Sequence, residues 1–258
     1  MARPGLRALR AFNDNYIWVL EGEAGTAVVV DPGDAAPVEA AMAAGLRPVA
    51  VLLTHHHNDH VGGAALLRER HGIRCIAPAD PRIAAADQRV RDGDRVEVAE
   101  LGLAFQVLEV PGHTRSHVAF AGAGVVFCGD TLFSLGCGRL FEGTPAQMHA
   151  SLSRLAALPG DTLVCCGHEY TEANGRFARA VEPGNAAREE WLREVAARRA
   201  RDEPSLPSTI ATERAANPFL RCNEAAVRAA CAARIGREPA DAVEALGVLR
   251  EWKDGFAA

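Results

Sequence analysis

An α/β fold, with a sheet-built first two-thirds and a helical remainder, is what the sequence predicts, and three features carry that expectation. Short apolar runs of strand length recur through residues 1–170, several of them end directly in Gly, Asp or His, and beyond His168 the texture changes to Ala, Arg and Glu at helical spacing. The 258 residues, 48% hydrophobic and 24% charged, supply enough apolar material for one large domain or two modest ones.

Taken in chain order, strands are expected over Tyr16–Leu20, Thr26–Val30, Val49–Leu53, Arg95–Val98, Leu103–Val110, Val118–Ala121, Val125–Cys128 and Thr162–Cys166. Their ends are the informative part: Val30-Asp31-Pro32-Gly33, Leu53-Thr54-His55, Val110-Pro111-Gly112-His113, Cys128-Gly129-Asp130 and Cys166-Gly167-His168. A strand running into a loop is where a rigid scaffold presents reactive side chains. Helices are expected over Asn185–Arg201, with Trp191, Leu192 and Val195 on one side, and over Glu224–Ile235 and Asp241–Lys253. Glu203–Pro207 and Asn217-Pro218-Phe219 read as turns between them. The change of texture divides the chain into residues 1–170, a sheet-based domain, and residues 171–258, a helical unit small enough to pack on the first rather than fold alone.

Composition excludes several classes. The net charge is −5; residues 1–170 hold 14 basic against 19 acidic residues and residues 171–258 hold 14 of each, so neither part has the basic excess of a nucleic-acid binder. No segment reaches the roughly 18 apolar residues of a membrane span, and Met1–Tyr16 carries Arg3, Arg7 and Arg10 with no apolar run behind them. Seven cysteines make an odd count with no C-x-x-C spacing, which reads as small core residues in a reducing cytoplasm rather than a disulfide framework. Of 28 basic residues, 27 are arginine, as a GC-rich genome would produce; the one lysine is Lys253.

Thr54-His55-His56-His57-Asn58-Asp59-His60 places four histidines and an aspartate in six positions directly after an apolar strand. Folding asks for nothing of the kind, and a cloning tag would sit at a terminus without aspartate. Imidazole nitrogen and carboxylate oxygen suit zinc, iron or manganese. His113, Asp130 and His168 then arrive at further strand ends. Singly each is a loop residue. Together they supply the ligand number that two divalent metals ~3.5–4 Å apart require, about three each plus a bridge.

In these residues the chain resembles the metallo-β-lactamase superfamily: His55-x-His57-x-Asp59-His60, His113, Asp130 and His168 follow its order and spacing. The closer resemblance is to the hydroxyacylglutathione hydrolases, also called glyoxalase II. It runs through Asn13-Asp14-Asn15-Tyr16, Gly136-Cys137-Gly138-Arg139-Leu140-Phe141-Glu142-Gly143-Thr144, Gly167-His168-Glu169-Tyr170-Thr171, Asn217-Pro218-Phe219-Leu220-Arg221 and Arg250-Glu251-Trp252-Lys253-Asp254. The resemblance implies an αββα sandwich followed by the helical unit. It implies two metal ions, zinc foremost with iron or manganese as alternatives. His55, His57 and His113 would hold one, Asp59, His60 and His168 the other, and Asp130 would bridge them. Asp59 and Asp130 are thereby the catalytic carboxylates around a metal-bridging hydroxide. Arg139, Tyr170, Arg250 and Lys253 are the implied contacts for the glutathione moiety. The family often has lysine where this chain has Arg139 and tyrosine where it has Phe141, so a charge is kept and a phenolic hydroxyl lost.

The chemistry supports that inference independently. Water shared by two divalent cations ionises near pH ~7, so no protein nucleophile is required. None is offered: there is no Gly-x-Ser-x-Gly elbow, and Cys165-Cys166 lies inside an apolar strand. A thioester leaves as a thiolate of pKa roughly 8.5, so a dedicated general acid is unnecessary. In Leu246–Asp254, Leu246, Leu249 and Trp252 share one helical face and Arg250 and Lys253 an adjacent one. Without the resemblance the two cations would read as a solvated helix end, where the dipole favours them. Asp31 is either a residue that orients a ligand or a turn cap. His56, His71, His117 and His149 have no evident role.

The expected activity is therefore cleavage of S-(2-hydroxyacyl)glutathione, typically S-D-lactoylglutathione, to glutathione and a 2-hydroxy acid by a cytoplasmic monomer, the second step of methylglyoxal detoxification. Within the fold the rivals are a glutathione persulfide dioxygenase using one iron, and a lactonase or β-lactamase. A nuclease is opposed by the acidic charge, and a non-enzymatic metal-binding protein would need no open coordination site.

Overall fold

The computed structural model describes residues 5–256. They form two compact units, one comprising the chain as far as Glu109 together with Ser116–Gly129, the other Val110–Arg115 together with the chain from Asp130 onward.

The first unit holds two sheets. In one, β1 (Gly5–Ala11), β2 (Asn15–Glu21), β3 (Thr26–Val30), β4 (Arg47–Leu52), β5 (Arg74–Pro78) and β6 (Gln88–Val90) lie in sequence order. The first three pair antiparallel and the last four parallel. Parallel neighbours need crossovers, which α1 (Ala36–Ala43), then α2 (Asn58–Val61) and α3 (Ala64–His71), provide. Helices on a sheet bury it, and β2 and β3 accordingly read as near-continuous apolar runs. Val29, Val51, Leu53 and Cys75 meet Val38, Ala64 and Leu67 in a core of wholly buried side chains. At roughly 1.5–3 kcal/mol for each large aliphatic chain, that core outweighs the weak amphipathicity of the short helices. The other strands form an antiparallel meander of β7 (Arg95–Val98), β8 (Leu103–Glu109), β9 (Val118–Gly122) and β10 (Val125–Gly129).

The second unit contains the hairpin of β11 (Leu132–Phe133) and β12 (Gly136–Cys137), then α4 (Pro145–Ala156), β13 (Leu163–Cys166), α5 (Thr171–Val181), α6 (Ala186–Arg199), β14 (Ser208–Thr209), α7 (Ile210–Ala216), α8 (Ala225–Ile235) and α9 (Ala242–Asp254). Local chemistry fixes the ends: Thr144 and Gln147 make a reciprocal capping box with Pro145 in the first turn of α4, and Asn185 and Asp241 cap α6 and α9. Gly236, at φ +75°, closes α8 in the left-handed region. Helix α9 packs on α4 and α8, and α5 on α6. Arg188, almost wholly buried on α6, reaches the carbonyls of Ala178, Glu182 and Pro183 at and beyond the end of α5. Among the described residues no helix is long and apolar enough to cross a membrane.

The three helices anticipated beyond residue 171 lie within two residues of their expected ends. Strands β1, β5 and β6 carried no expectation, and the strand expected to reach Val110 stops at Glu109.

Candidate metal centre

Helix α2 begins at the carboxyl end of β4, so the intervening loop carries His55 and His57 while Asp59 and His60 sit in the first turn of α2. A hydrogen-bond chain sets the imidazole tautomers. Asp31 Oδ1 accepts from Thr54 N at 2.8 Å, and its Oδ2 accepts from Thr54 Oγ1 at 2.7 Å. Having given its proton to Asp31, Thr54 Oγ1 is an acceptor for His55 Nδ1 at 3.1 Å. Asp31 Oδ2 also accepts from His60 Nδ1 at 3.0 Å. Both rings therefore carry their proton on Nδ1 and present an Nε2 lone pair, the state a metal ligand needs. His55 and His60 are almost fully buried, so water does not blur this choice.

Those lone pairs face other donors. His55 Nε2 stands 3.1 Å from His57 Nδ1, and His60 Nε2 stands 3.4 Å from Asp59 Oδ2. Asp31 thus orients His60, which decides between the two roles left open for it. His117, given no role by sequence, is wholly buried and stacks on His55 with ring centroids 4.6 Å apart and 17° between planes. Behind Asp59 the main chain is closely backed: a Cβ on Gly33 would come within 1.8 Å of the Asp59 carbonyl oxygen.

The second unit gathers His113, Asp130 and His168. His113 Nδ1 donates to the Arg139 carbonyl at 2.9 Å, which again leaves an Nε2 lone pair. Asp130 Oδ2 lies 3.5 Å from His113 Nε2 and 3.3 Å from His168 Nε2. The three residues are at most 6% exposed. A buried lone pair facing a carboxylate at that distance is repulsive unless a cation lies near both. Two ligands on one ion, with bonds of about 2.0–2.1 Å at the tetrahedral angle, stand about 3.3 Å apart. The donor set and its spacing in both units fit divalent metal.

Asp130 opens a tight segment that α5, α6 and α7 hold. Gly138 N donates to Thr131 O, and a Cβ on Gly138 would come within 1.9 Å of the Asp130 carbonyl oxygen. At the hairpin tip Asn217 Nδ2 donates to the carbonyls of Phe133 and Gly136, Asn174 Nδ2 to that of Ser134, and Trp191 Nε1 to the Ser134 hydroxyl. Leu135, at φ +58°, donates its N–H to Glu213. Glu213 is wholly buried, and burial raises its pKa above the ordinary carboxyl value despite hydrogen bonds that favour the charged form.

The four expected substrate contacts also belong to the second unit. Tyr170 lies flat on His168, 4.8 Å between centroids and 2° between planes, and is half exposed. Arg139 Nε and Arg250 Nη2 converge on Asp254 Oδ1 at 3.4 and 3.0 Å. Arg250 is not solvated: at 6% exposure it donates Nη1 to the Cys137 carbonyl at 2.7 Å and stacks over Phe219. Lys253 Nζ donates to the Ala173 carbonyl at 3.3 Å. Burial lowers its pKa, as do the charges of Arg250, Arg176 and Arg139. Cations outnumber carboxylates here, so the patch carries a net positive charge. Phe141, exposed, stands edge-on to His113 at 5.2 Å. All seven cysteines are buried free thiols, and burial pushes that of Cys165 far up.

Residues 11–168 match the profile of the metallo-beta-lactamase superfamily, and residues 169–256 that of the hydroxyacylglutathione hydrolase C-terminus. The chain is 55% identical to a hydroxyacylglutathione hydrolase of Stenotrophomonas maltophilia, covering 98% of this chain and 99% of that one. It is 54% identical to one of Pseudomonas aeruginosa, covering 96% and 98%. Among solved structures it resembles ETHE1 from Myxococcus xanthus (26% identity, TM-score 0.65, 98% and 100% coverage) and the di-iron-bound form of TTHA1623 (27%, 0.58, 84% and 100%).

Proposed function

The chain belongs to the metallo-β-lactamase superfamily and, within it, to the hydroxyacylglutathione hydrolases, and from that premise we propose that it cleaves S-(2-hydroxyacyl)glutathione to glutathione and a 2-hydroxy acid at a centre of two divalent metal ions. It is a thioester hydrolase. S-D-lactoylglutathione is the substrate we assign, which places the reaction second in methylglyoxal detoxification.

In this reading His55, His57 and His113 hold one ion, Asp59, His60 and His168 the other, and Asp130 serves both. Nitrogen and oxygen donors without thiolate favour zinc, iron or manganese, and a di-iron-bound structural relative is in keeping with that set. When bound, such ions supply Lewis acidity and an ionised water at neutral pH. The protein's part is orientation: Asp31 and Thr54 hold His55 and His60 in the ligating tautomer, and the Arg139 carbonyl does so for His113. Asp59 and Asp130 are the carboxylates that accept hydrogen bonds from the attacking water. The thiolate departs without an acid. Cys165 and Cys166 are excluded as nucleophiles, since both are buried and the Cys165 thiol is held protonated.

The glutathione end falls to the cations around Asp254. Lys253 keeps two ammonium protons beyond the one given to Ala173, and these suit a substrate carboxylate. Arg139 and Tyr170 flank that contact, while Arg250 contributes charge, its Nη1 engaged by the Cys137 carbonyl and its Nη2 by Asp254. We assign residues 1–170 to the catalytic part and 171–258 to the substrate-binding part of a cytoplasmic monomer; seven cysteines outside any disulfide are in keeping with a reducing cytoplasm.

The observation that carries this reading is the spacing of 3.3–3.5 Å from ring nitrogen to carboxylate oxygen between His60 and Asp59 and between Asp130 and both its histidines. Metal analysis of the purified protein, alongside assays with S-D-lactoylglutathione, glutathione persulfide and a lactone, tests it. Two metal equivalents with release of glutathione from the thioester are expected. A single iron with oxygen uptake on the persulfide, or lactone opening without thioester cleavage, would overturn it.

A further inference from the structure

Asn15 belongs to the Asn13-Asp14-Asn15-Tyr16 motif, to which the reaction as described assigns no task. It opens β2, opposite Ala11 across the β1–β2 turn, and that turn is tight enough to put Phe12 at φ +50°. The side chain is 7% exposed and reaches 44 residues along the chain to Asp59. Its Nδ2 lies 3.0 Å from Asp59 Oδ2 and 3.3 Å from the Asp59 carbonyl oxygen.

Asp59 needs such a partner. The last torsion of aspartate is broad and roughly two-fold, so backbone placement alone leaves the carboxylate plane undefined. Gly33 fixes the Asp59 main chain by close approach. The Asn15 amide supplies two donors at one end: one to the carbonyl, which anchors the amide, and one to Oδ2, which sets the plane. Oδ2 is also the oxygen that stands 3.4 Å from His60 Nε2. A neutral donor suits this task, because an arginine in its place would neutralise the charge that a cation is meant to meet.

We propose that Asn15 is a positioning residue for Asp59, fixing the carboxylate orientation required by the ion assigned to Asp59, His60 and His168 while leaving the ion of His55, His57 and His113 untouched. The inference rests on the two-ion reading above. Its test is titration of the metal-free parent, Asn15→Ala and Asn15→Leu with zinc against a chromophoric chelator, beside thermal melting of each metal-free protein and the KM and kcat of the loaded enzymes.

The parent should take up two ions. In both variants one of the two zinc affinities should fall about tenfold or more, the scale of a lost hydrogen bond to a charged group, with the other unchanged. The kcat should fall further than KM changes, and the metal-free melting temperature should hold in at least one variant. Two unchanged affinities overturn the proposal. So does equal weakening of both, or early melting of both variants, either of which makes Asn15 a scaffold residue. A parent that binds a single ion overturns the two-ion reading itself, and the inference with it.

Discussion

In the first unit four candidate ligands occupy six consecutive positions, from His55 to His60, and the side chains that orient them, Asn15, Asp31 and Thr54, come from the ends of three neighbouring strands. In the second unit three ligands are spread from His113 to His168, and what steadies them is largely main chain: the Arg139 carbonyl under His113, and a hairpin behind Asp130 pinned by α5, α6 and α7. The compact half is insured by proximity in sequence. The dispersed half depends on packing by residues that never approach a ligand, so distant substitutions should reach it through the hairpin, whereas the compact half should answer chiefly to Asp31 and its immediate contacts.

The largest effect is expected at Asp130, whose Oδ2 lies 3.5 Å and 3.3 Å from the ring nitrogens of two histidines. Asp130→Ala should abolish turnover and remove bound metal together, checked by elemental analysis beside the thioester assay; two ions retained with full activity would make Asp130 an ordinary loop residue. Next comes Asp31→Ala, which deletes acceptors for Thr54 and His60 and so frees two ring tautomers. Metal affinity should fall about 10–100-fold, with Asp31→Asn milder. If Asp31→Ala binds zinc as the parent does, the tautomer argument for the compact half fails.

A smaller effect separates two cations that sequence alone could not tell apart. Lys253→Ala should raise KM for the glutathione thioester about tenfold, with kcat and melting temperature little changed, as loss of a charge-assisted contact remote from the reacting bond predicts. Arg250→Ala should lower the melting temperature as well, because it strips a buried donor from the Cys137 carbonyl. Equal melting behaviour of the two variants would erase the distinction.

The smallest effect sharpens the dispersed half. The folded pKa of Glu213 lies above its ordinary 4.5, so the folded protein keeps a proton that the unfolded chain releases. Its contribution to stability is therefore complete below about pH 4.5 and declines as pH rises toward the folded value. Glu213→Gln cannot ionise, and its melting temperature should fall less than the parent's between pH 5 and 8. Parallel profiles would show that the hairpin does not feel this carboxyl.

The same contrast explains what could be read from the sequence. His55 to His60 announced themselves by density, and Thr26–Val30 and Arg95–Val98 have the strand limits their apolar pattern suggests. Strand β1 was hidden because Arg7 and Arg10 interrupt its apolar residues, as befits an edge strand. Helix α2, at four residues, is too short for any period to appear. Thr54 and Asn15 stood in motifs without a task of their own and His117 gave no signal, since a hydroxyl, an amide and a stacked ring acquire meaning only through partners that folding brings close. Arg250 was assigned to a face beside the apolar stripe, correct in angle. The Cys137 carbonyl and the Phe219 ring that cover that face could not be inferred from α9 alone.

Both aspartates of the proposed centre have a glycine against their carbonyl oxygen, Gly33 behind Asp59 and Gly138 behind Asp130, each too near for any Cβ. Every other amino acid carries that atom, so neither position has a silent exit by point mutation. In a saturation library selected only for metal retention, these two codons should collapse to glycine as completely as the ligands themselves, although neither residue has a side chain to offer a metal or a substrate. Adaptation to new acyl groups then has to proceed through exposed side chains such as Phe141, where the protein can vary without first losing its catalyst.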